Sequence, residues 1–331
     1  MLSLLTACSS KKEHTVTNAF YYWKTNFNPD SAEKALLRET NAGAIYLRLF
    51  DVDWNPIRQK ALPVGIVQVK EKPAQTIVPV VYITQACLDH LKEQDVPELA
   101  GQIGTLISGL CHQFRITPAE VQIDCDWTKT NAPVYFALLR QLKSSAFIQD
   151  KMLSCTIRLH QVKFASSSGV PPVDKGLLMV YNMGNLTRYG GHNSILETGE
   201  AKSYLRHLST YTLPLDVALP VYHWAVLFEQ KAFKGITYNL TAADFKRTDL
   251  EPAQGNLYQV MRDTFTAGYR FKKGQEIRFE QPDKSQLKEV GAFINEHIRD
   301  SSFQVIYFHL DSKNIQPFTA ADLNEISCTF R

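Results

Sequence analysis

Eight strand-like segments, separated mostly by helix-like segments, constrain the fold of this chain more than any other feature of its sequence. In chains that alternate in this way the strands pair in parallel and the helices cover them. Eight units are the number that closes a barrel, whereas an open doubly wound sheet normally has a glycine-rich turn after its first strand. Here the first predicted strand runs into Lys24, Thr25 and Asn26. The sequence therefore predicts an α/β protein, a (β/α)8 TIM barrel.

The predicted strands cover most of the chain at regular intervals. They are 19–23, 44–54, 76–83, one within 121–128, 152–160, 176–182, 215–222 and 304–310. We expect residues 18–331 to form a single barrel domain, with residues 224–274 as an elaborated loop after the seventh strand. Residues 1–17 are interpreted separately as the remnant of a lipoprotein signal and a tether.

The amino-acid composition limits the kinds of molecule that this protein is expected to bind. Hydrophobic residues make up 44% of the 331 residues and charged residues 21%, which is typical of a globular protein and leaves no segment long enough to span a bilayer. The net charge of +3 is too small and dispersed to indicate nucleic acid binding. We expect no cofactor. The cysteines after residue 8 have no metal-type spacing, and the simplest interpretation makes them small buried hydrophobic residues.

Two aspartates near the end of the fourth strand are the strongest candidates for chemistry. Side chains alternate along a strand, so Asp124 and Asp126 point to one face and Cys125 to the other. Residues 128–133 then lead into a helix-like segment, 134–140. The pair therefore lies at the C-terminal end of a barrel strand, where barrel enzymes carry their active sites.

The other strand ends carry polar and aromatic side chains that suit a sugar. Aromatic faces pack on the apolar side of a pyranose ring, while carboxylates and amides bind its hydroxyls. The predicted substrate-binding residues are Trp23, Asp51, Asp53, Tyr82, Arg158, His160, Tyr181, Asn182, Trp224 and His309. Arg158 is expected to neutralise Asp124 or Asp126, because a charge inside a barrel needs a partner.

Alternative interpretations of these residues remain open. Each tryptophan taken singly is more often rim or core packing, and each histidine is more often structural than a base. A metal held by Asp124, Asp126, His160 and His309 is a further alternative, although no HxH or HExxH spacing indicates one, and we predict no metal site.

The N-terminus resembles a bacterial lipobox. Leu5-Thr6-Ala7-Cys8 is followed by polar, tether-like residues, although no basic and long apolar region precedes it. The resemblance implies lipid attachment at Cys8 and anchoring to a membrane of the cell envelope. With Ser9 after the cysteine, it implies the outer membrane of a Gram-negative cell.

The stretch Ile123-Asp124-Cys125-Asp126-Trp127 resembles the fourth-strand signature D-G-x-D-x-D-W-E of family-18 glycoside hydrolases, the chitinase class. Met179-Val180-Tyr181-Asn182 similarly resembles the sixth-strand M-x-Y-D of that class. As a whole the chain is similar to bacterial lipoproteins of unassigned activity that have a glycoside-hydrolase-like barrel. The resemblance implies that Asp124 and Asp126 orient the N-acetyl group of the substrate and tune the acid.

The sequence departs from this family at the catalytic position. Thr128 stands where the family has its acid Glu, Val121 replaces the first Asp, and Asn182 replaces the sixth-strand Asp. A threonine hydroxyl has no useful acidity near neutral pH.

Two hypotheses follow for the predicted carbohydrate ligand. The first is a glycoside hydrolase in which Asp126 or Asp124 works opposite Asp51, Asp53 or Asp311, with Asp126, its pKa raised by the neighbouring charge of Asp124, as the preferred acid. The alternative is a glycan-binding protein that has lost catalysis and kept the cleft.

Overall fold

Eight parallel strands close into a barrel in the computed structural model, which describes residues 14–331. The barrel strands are β1 (Thr15–Tyr22), β2 (Ala44–Asn55), β3 (Thr76–Ile83), β4 (Glu120–Cys125), β5 (Met152–Arg158), β6 (Lys175–Met179), β7 (Leu215–Pro220) and β8 (Ser302–Phe308). Each pairs with the next, and β8 pairs with β1. The predicted (β/α)8 barrel is confirmed. Cys8, the predicted lipid attachment site, lies outside the described residues.

Helices cover the outside of the barrel. They are α1 (Ser31–Glu39), α2 (Gln85–His90), α3 (Val96–Phe114), α4 (Ala132–Lys143), α5 (Leu159–Lys163), α6 (Ala165–Ser168), α7 (Thr198–Leu205), α8 (Lys284–His297) and α9 (Ala320–Cys328). Short 3-10 turns occur at Glu93–Asp95, Leu208–Thr210 and Asp244–Lys246. Among residues 14–331, none of the helices is both long and apolar enough to cross a membrane.

Local sequence explains where several helices begin. The Asp30 carboxylate accepts a hydrogen bond from the backbone N–H of Glu33 at 2.8 Å, and Glu33 bonds back to the N–H of Asp30, which completes a capping box before α1. Asp283 caps α8 in the same way. Because these caps fix the helix starts, they also fix the loops that leave the barrel mouth.

One strand boundary differs from the prediction in a way that moves a candidate residue. The fifth strand was expected to run to residue 160, but β5 ends at Arg158 and α5 begins at Leu159. The side chain of Gln161 accepts a hydrogen bond from the Arg158 N–H at 2.8 Å, which stabilises this helix start. His160 therefore lies on a helix, and the predicted extension of the fifth strand to residue 160 is wrong.

The N-terminal end of the barrel contains a buried ionic network. Lys175, the first residue of β6, places its Nζ 3.0 Å from a carboxylate oxygen of Glu120 and 2.5 Å from one of Asp216. Burial lowers the pKa of Lys175, but the two carboxylates outweigh burial and raise it above its ordinary value. The hydroxyl of Ser154 also donates to Glu120 at 2.5 Å. Opposite the mouth, the barrel interior is therefore closed by paired charges.

The chain between β7 and α8 forms an additional sheet beside the mouth, here called the insert (residues 224–280). Its strands are Trp224–Glu229, Ala232–Thr237, Leu250–Gln254, Leu257–Val260 and Glu276–Glu280, with a small hairpin of Thr264–Thr266 and Tyr269–Phe271. The insert has a core of its own, which includes Leu240, Phe245 and Ile277. The predicted elaboration after the seventh strand is confirmed, and its last strand ends at Glu280.

A smaller elaboration follows β2. The end of β2 pairs antiparallel with the strand Lys60–Val64, so that Asp51 lies opposite Val64 and Asp53 opposite Leu62. Two short strands, Asn26–Phe27 and Gln68–Val69, pair beside it. β2 therefore continues past the barrel mouth as a hairpin.

Candidate functional site

A cleft of about 630 Å³ opens at the C-terminal mouth of the barrel. Of the residues predicted from the strand ends, those that line it are Trp23, Tyr82, Asp124, Asp126, Arg158, His160, Tyr181 and Asn182. They come from five barrel strands and the segments directly after them. The closed barrel brings these residues together because all its strands are parallel and end at one rim.

Asp124, in β4, and Asp126, directly after β4, have different partners in the cleft. Oδ1 of Asp124 accepts a hydrogen bond from the Thr156 hydroxyl at 2.7 Å. Oδ1 of Asp126 accepts from Nε of Arg158 at 2.6 Å, and a second guanidinium nitrogen lies at the same distance. Of the two aspartates that sequence offered as the partner of Arg158, the structure therefore selects Asp126.

Burial makes the carboxyl group of Asp124 a weaker acid than an ordinary aspartate. Although part of its carboxyl group faces the cleft, protein atoms surround it, and this burial raises its pKa to about 7. The bond from Thr156 lowers the pKa and the charge of Asp126 raises it, both by less than burial does. The sequence predicts a raised pKa for Asp126. In the structure it is Asp124, two residues deeper in the barrel, that is partly protonated near neutral pH.

Aromatic rings form the floor of the cleft. The ring of Phe308 lies 5.8 Å from that of Trp23 and 5.4 Å from that of Tyr181, and Trp23 lies 6.1 Å from Tyr82. Burial raises the pKa of Tyr181 well above its ordinary value, so its hydroxyl stays protonated and able to donate. We refer to these four residues as the aromatic floor.

The remaining titratable groups of the cleft are held in defined states. Burial, followed by the charge of Arg158, lowers the pKa of His160, so the imidazole is neutral at pH 7. Burial and the two aspartates raise the pKa of Tyr82 to about 12. The cleft thus combines apolar rings with one ion pair, a weakly acidic carboxyl group and neutral hydroxyl and imidazole groups.

Four predicted site residues do not line the cleft. Asp51 accepts a hydrogen bond from Nε of Arg48 at 2.6 Å, and Asp53 accepts one from the Thr84 hydroxyl at 2.6 Å. Both belong to the part of β2 that continues into the hairpin. Their carboxylates are therefore engaged beside the mouth, where they stabilise the hairpin and the start of α2.

Trp224 and His309 likewise lie outside the cleft lining. Trp224 donates its indole N–H to Glu280 at 2.8 Å within the insert. Burial lowers the pKa of His309 to about 4, so this histidine is neutral. Asp311, one of the possible second carboxylates, pairs with Lys24 at 3.3 Å and also lies outside the cleft.

The structure adds lining residues that sequence analysis did not select. They are Leu159, Met179, Met183, Tyr204, Tyr238 and Phe308. Met179 and Phe308 end β6 and β8, so the strand-end signal that identified their neighbours could have found them. Tyr204 lies on α7 and Tyr238 in the insert, where no strand-end pattern points to the mouth.

Thr128, at the position of the family acid, does not line the cleft. It is exposed, and its backbone N–H donates to the Asn131 side chain at 2.7 Å at the start of α4. Within residues 14–331, no three His, Cys, Asp or Glu side chains are grouped so that they could hold a metal ion. The four metal ligands considered from the sequence are divided between the cleft and the segment after β8.

The insert fixes one wall of the cleft through a buried ion pair. Arg278 and Glu280 are both fully buried and paired with each other. The guanidinium of Arg278 donates to the carbonyls of Leu186, at 2.8 Å, and Arg188, while Glu280 accepts from the N–H of Ser194 at 2.9 Å. Residues 186–194 belong to the segment that follows Asn182 and Met183. The insert therefore holds the loop that leaves the cleft after β6.

Solved structures with a similar fold are chitinases and a spore cortex-lytic enzyme. A chitinase from Chromobacterium violaceum has a TM-score of 0.56 and 10% identity, over 95% of this chain and 98% of that one. A plant class V chitinase mutant from Cycas revoluta, in complex with (GlcNAc)3, has a TM-score of 0.56 and 11% identity, over 96% and 100%.

The spore cortex-lytic enzyme SleL of Bacillus cereus has a TM-score of 0.55 and 13% identity, over 96% of this chain and 75% of that one. No family model and no curated protein matches the chain. At these identities the similarity shows a shared fold, the (β/α)8 barrel of the family-18 chitinases.

Proposed function

We propose that this protein binds a glycan in the cleft at the barrel mouth and does not hydrolyse it. One observation carries the proposal. Among the described residues, the carboxylates that line the cleft are Asp124 and Asp126, which lie two residues apart at the C-terminal end of β4, and Asp126 is ion-paired with Arg158. Glycosidases that use two carboxyl groups place them on either side of the scissile bond, whereas the substrate-assisted family that this chain resembles needs an acid at the position of Thr128, which is exposed and lies outside the cleft. The two carboxylates of the cleft can hold a sugar but meet neither requirement.

The chemistry of the cleft supports a carbohydrate ligand. The aromatic floor offers apolar faces for pyranose rings. Around it, Tyr181 donates, Asn182 both donates and accepts, and the carboxyl oxygens of Asp124 accept. The Cycas revoluta structure with (GlcNAc)3 makes N-acetylglucosamine oligomers a suitable first probe. We take a glycan that contains this sugar as the proposed ligand class.

Glycoside hydrolysis is the second candidate, and the pKa of Asp124 favours it. A carboxyl group with a pKa of about 7 is partly protonated under neutral conditions and is a competent general acid. Its expected signature is release of reducing ends that disappears in Asp124→Asn. No release by the wild-type protein at any pH between about 4 and 9, although the oligomer binds, would leave binding as the function.

Trp23→Ala tests the binding cleft. We expect the affinity for an N-acetylglucosamine tetramer, measured by isothermal titration calorimetry, to fall at least about tenfold, because a ring of the aromatic floor is removed. Trp54→Ala is the matched control: Trp54 stacks on His90 at 4.9 Å and does not line the cleft, so affinity should be unchanged. Equal affinities of both variants would contradict the assignment of the site.

We also propose that the protein is lipid-anchored at Cys8 in the outer membrane of a Gram-negative cell. The Leu-Thr-Ala-Cys stretch and the following Ser9 support this location. In cells fed a clickable fatty acid, the wild-type protein should be labelled and Cys8→Ser should not. Cys328→Ser, which changes an exposed cysteine of α9, is the control and should be labelled normally. Labelling of Cys8→Ser would exclude the anchor.

A further inference from the structure

A second hollow lies beside the cleft at the barrel mouth. It has a volume of about 890 Å³ and is formed by the start of α1, the segment after β8 and the insert. Its lining is mainly polar and includes Asn239, Thr241, Ser312, Lys313 and Asn314. Both hollows thus open at the same end of the barrel.

Tyr238 joins the two hollows. It lines both of them, and 56% of its surface is exposed. The residue directly follows the insert strand Ala232–Thr237, so the insert carries the ring to the boundary. An exposed aromatic ring between two polar hollows gives a sugar unit a face to pack on as it passes from one to the other.

The carboxylates of the second hollow are already engaged. Asp30 caps α1 through the N–H of Glu33, and Asp311 accepts from the N–H of Lys313 at 2.9 Å and pairs with Lys24. These contacts hold the two charges in the local structure. The hollow is therefore not a cluster of free carboxylates that would favour a cation.

The amide side chains of the hollow are available to a ligand. Within residues 14–331, the side chains of Asn239 and Asn314 form no hydrogen bond. Asn314 donates only through its backbone N–H, to Asp311. An amide group both donates and accepts, as a sugar hydroxyl does. Neutral amide groups of this kind match the hydroxyl groups of a polyhydroxylated ligand.

We propose that a linear glycan bound in the cleft continues over Tyr238 into the second hollow. The ligand is then an oligosaccharide that occupies both hollows, and Asn239 and Asn314 bind its distal units. This inference rests on the proposed function, because it extends the ligand of the same cleft. It also predicts that the affinity depends on the length of the glycan, which binding in the cleft alone does not require.

The test compares oligosaccharides of different lengths and uses the full-length protein. Affinities for N-acetylglucosamine oligomers of two to six units are measured by calorimetry for the wild-type protein and for the double variant Asn239→Ala/Asn314→Ala. We expect the wild-type affinity to rise with the length of the oligomer. The affinity of the double variant should fall about tenfold for the hexamer and stay unchanged for the dimer. Gln102→Ala, which changes an exposed amide on α3 that lines neither hollow, is the control and should match the wild type.

The outcomes separate this inference from the proposed function. If the dimer and the hexamer bind the wild type equally, or if the double variant keeps the gain with length, the extension is overturned and the cleft remains the site. A loss of equal size at every length would also overturn it, because the amides would then not act on distal units. Absence of binding at every length would overturn the proposed function and this inference together.

Discussion

Lys175→Met should lower the free energy of unfolding by about 3–5 kcal/mol, measured by equilibrium unfolding in urea. The substitution removes the cation between Glu120 and Asp216 and leaves two carboxylates facing each other inside the barrel. Both are nearly buried, with 8% and 2% of their surface exposed, so water cannot replace the lost partner. The expected loss in the free energy of unfolding is therefore the cost of leaving buried charges without a partner.

Lys34→Met is the matched control. Lys34 pairs with Glu71 at 2.6 Å, but both side chains are close to half exposed. An exposed pair contributes little, so we expect a loss below about 1 kcal/mol. If Lys175→Met were as mild as this control, the network at the N-terminal end of the barrel would not have the role assigned to it.

Asp124→Asn should remove a pH dependence of stability. The pKa of Asp124 is about 7 in the folded protein and about 4 when the chain is unfolded, so folding favours the protonated form. The wild-type protein should therefore lose stability as pH rises from about 4 to about 7, and no further above that. A pKa difference of this size corresponds to roughly 4 kcal/mol, and access of the carboxyl group to the cleft reduces the expected loss to about 2 kcal/mol.

The comparison is made by urea unfolding at several pH values. Asp124→Asn should be more stable than the wild type by about 2 kcal/mol above pH 7 and equal to it near pH 4, because the amide does not ionise. Asp150→Asn, which changes an exposed carboxylate, should follow the wild-type curve. An Asp124→Asn curve parallel to that of the wild type would show that folding does not raise the pKa of Asp124.

The part of the site that sequence predicted depends on two regular features of barrels. Alternation along β4 and the residue directly after it places Asp124 and Asp126 on one face, and parallel pairing brings the end of β4 to that of β5. Because these two features are local and periodic, they can be predicted from the spacing of residues in the sequence. They correctly indicated that Arg158 would neutralise one of the two aspartates.

The residues that the structure places elsewhere lie where this regularity is interrupted. In β2 the pairing with β3 shifts between Arg48 and Phe50, and one extra residue there changes the face on which the following side chains lie. Asp51 and Asp53 follow that shift and are then carried into the hairpin. His160 still lines the cleft, but it lies on a helix and not on the predicted strand because β5 ends two residues before it. Neither event has a strong signal in the sequence.

Residues brought to the mouth from outside the barrel could not be predicted in this way. Tyr238 reaches the cleft because the insert packs beside the mouth, and the pair of Arg278 and Glu280 holds the neighbouring loop to the insert. These contacts join segments about ninety residues apart in the chain. They depend on tertiary packing, which neither periodicity nor residue spacing encodes.

A crystal structure of the protein soaked with an N-acetylglucosamine tetramer tests the central claim most directly. We predict an intact oligosaccharide in the cleft, packed on the aromatic floor, with the Asp126–Arg158 pair beside it. Shortened products in the cleft would contradict the loss of catalysis and make Asp124 the acid to test. A cleft without ligand at concentrations that saturate the protein in solution, or a ligand bound elsewhere, would contradict the assignment of this cleft as the binding site.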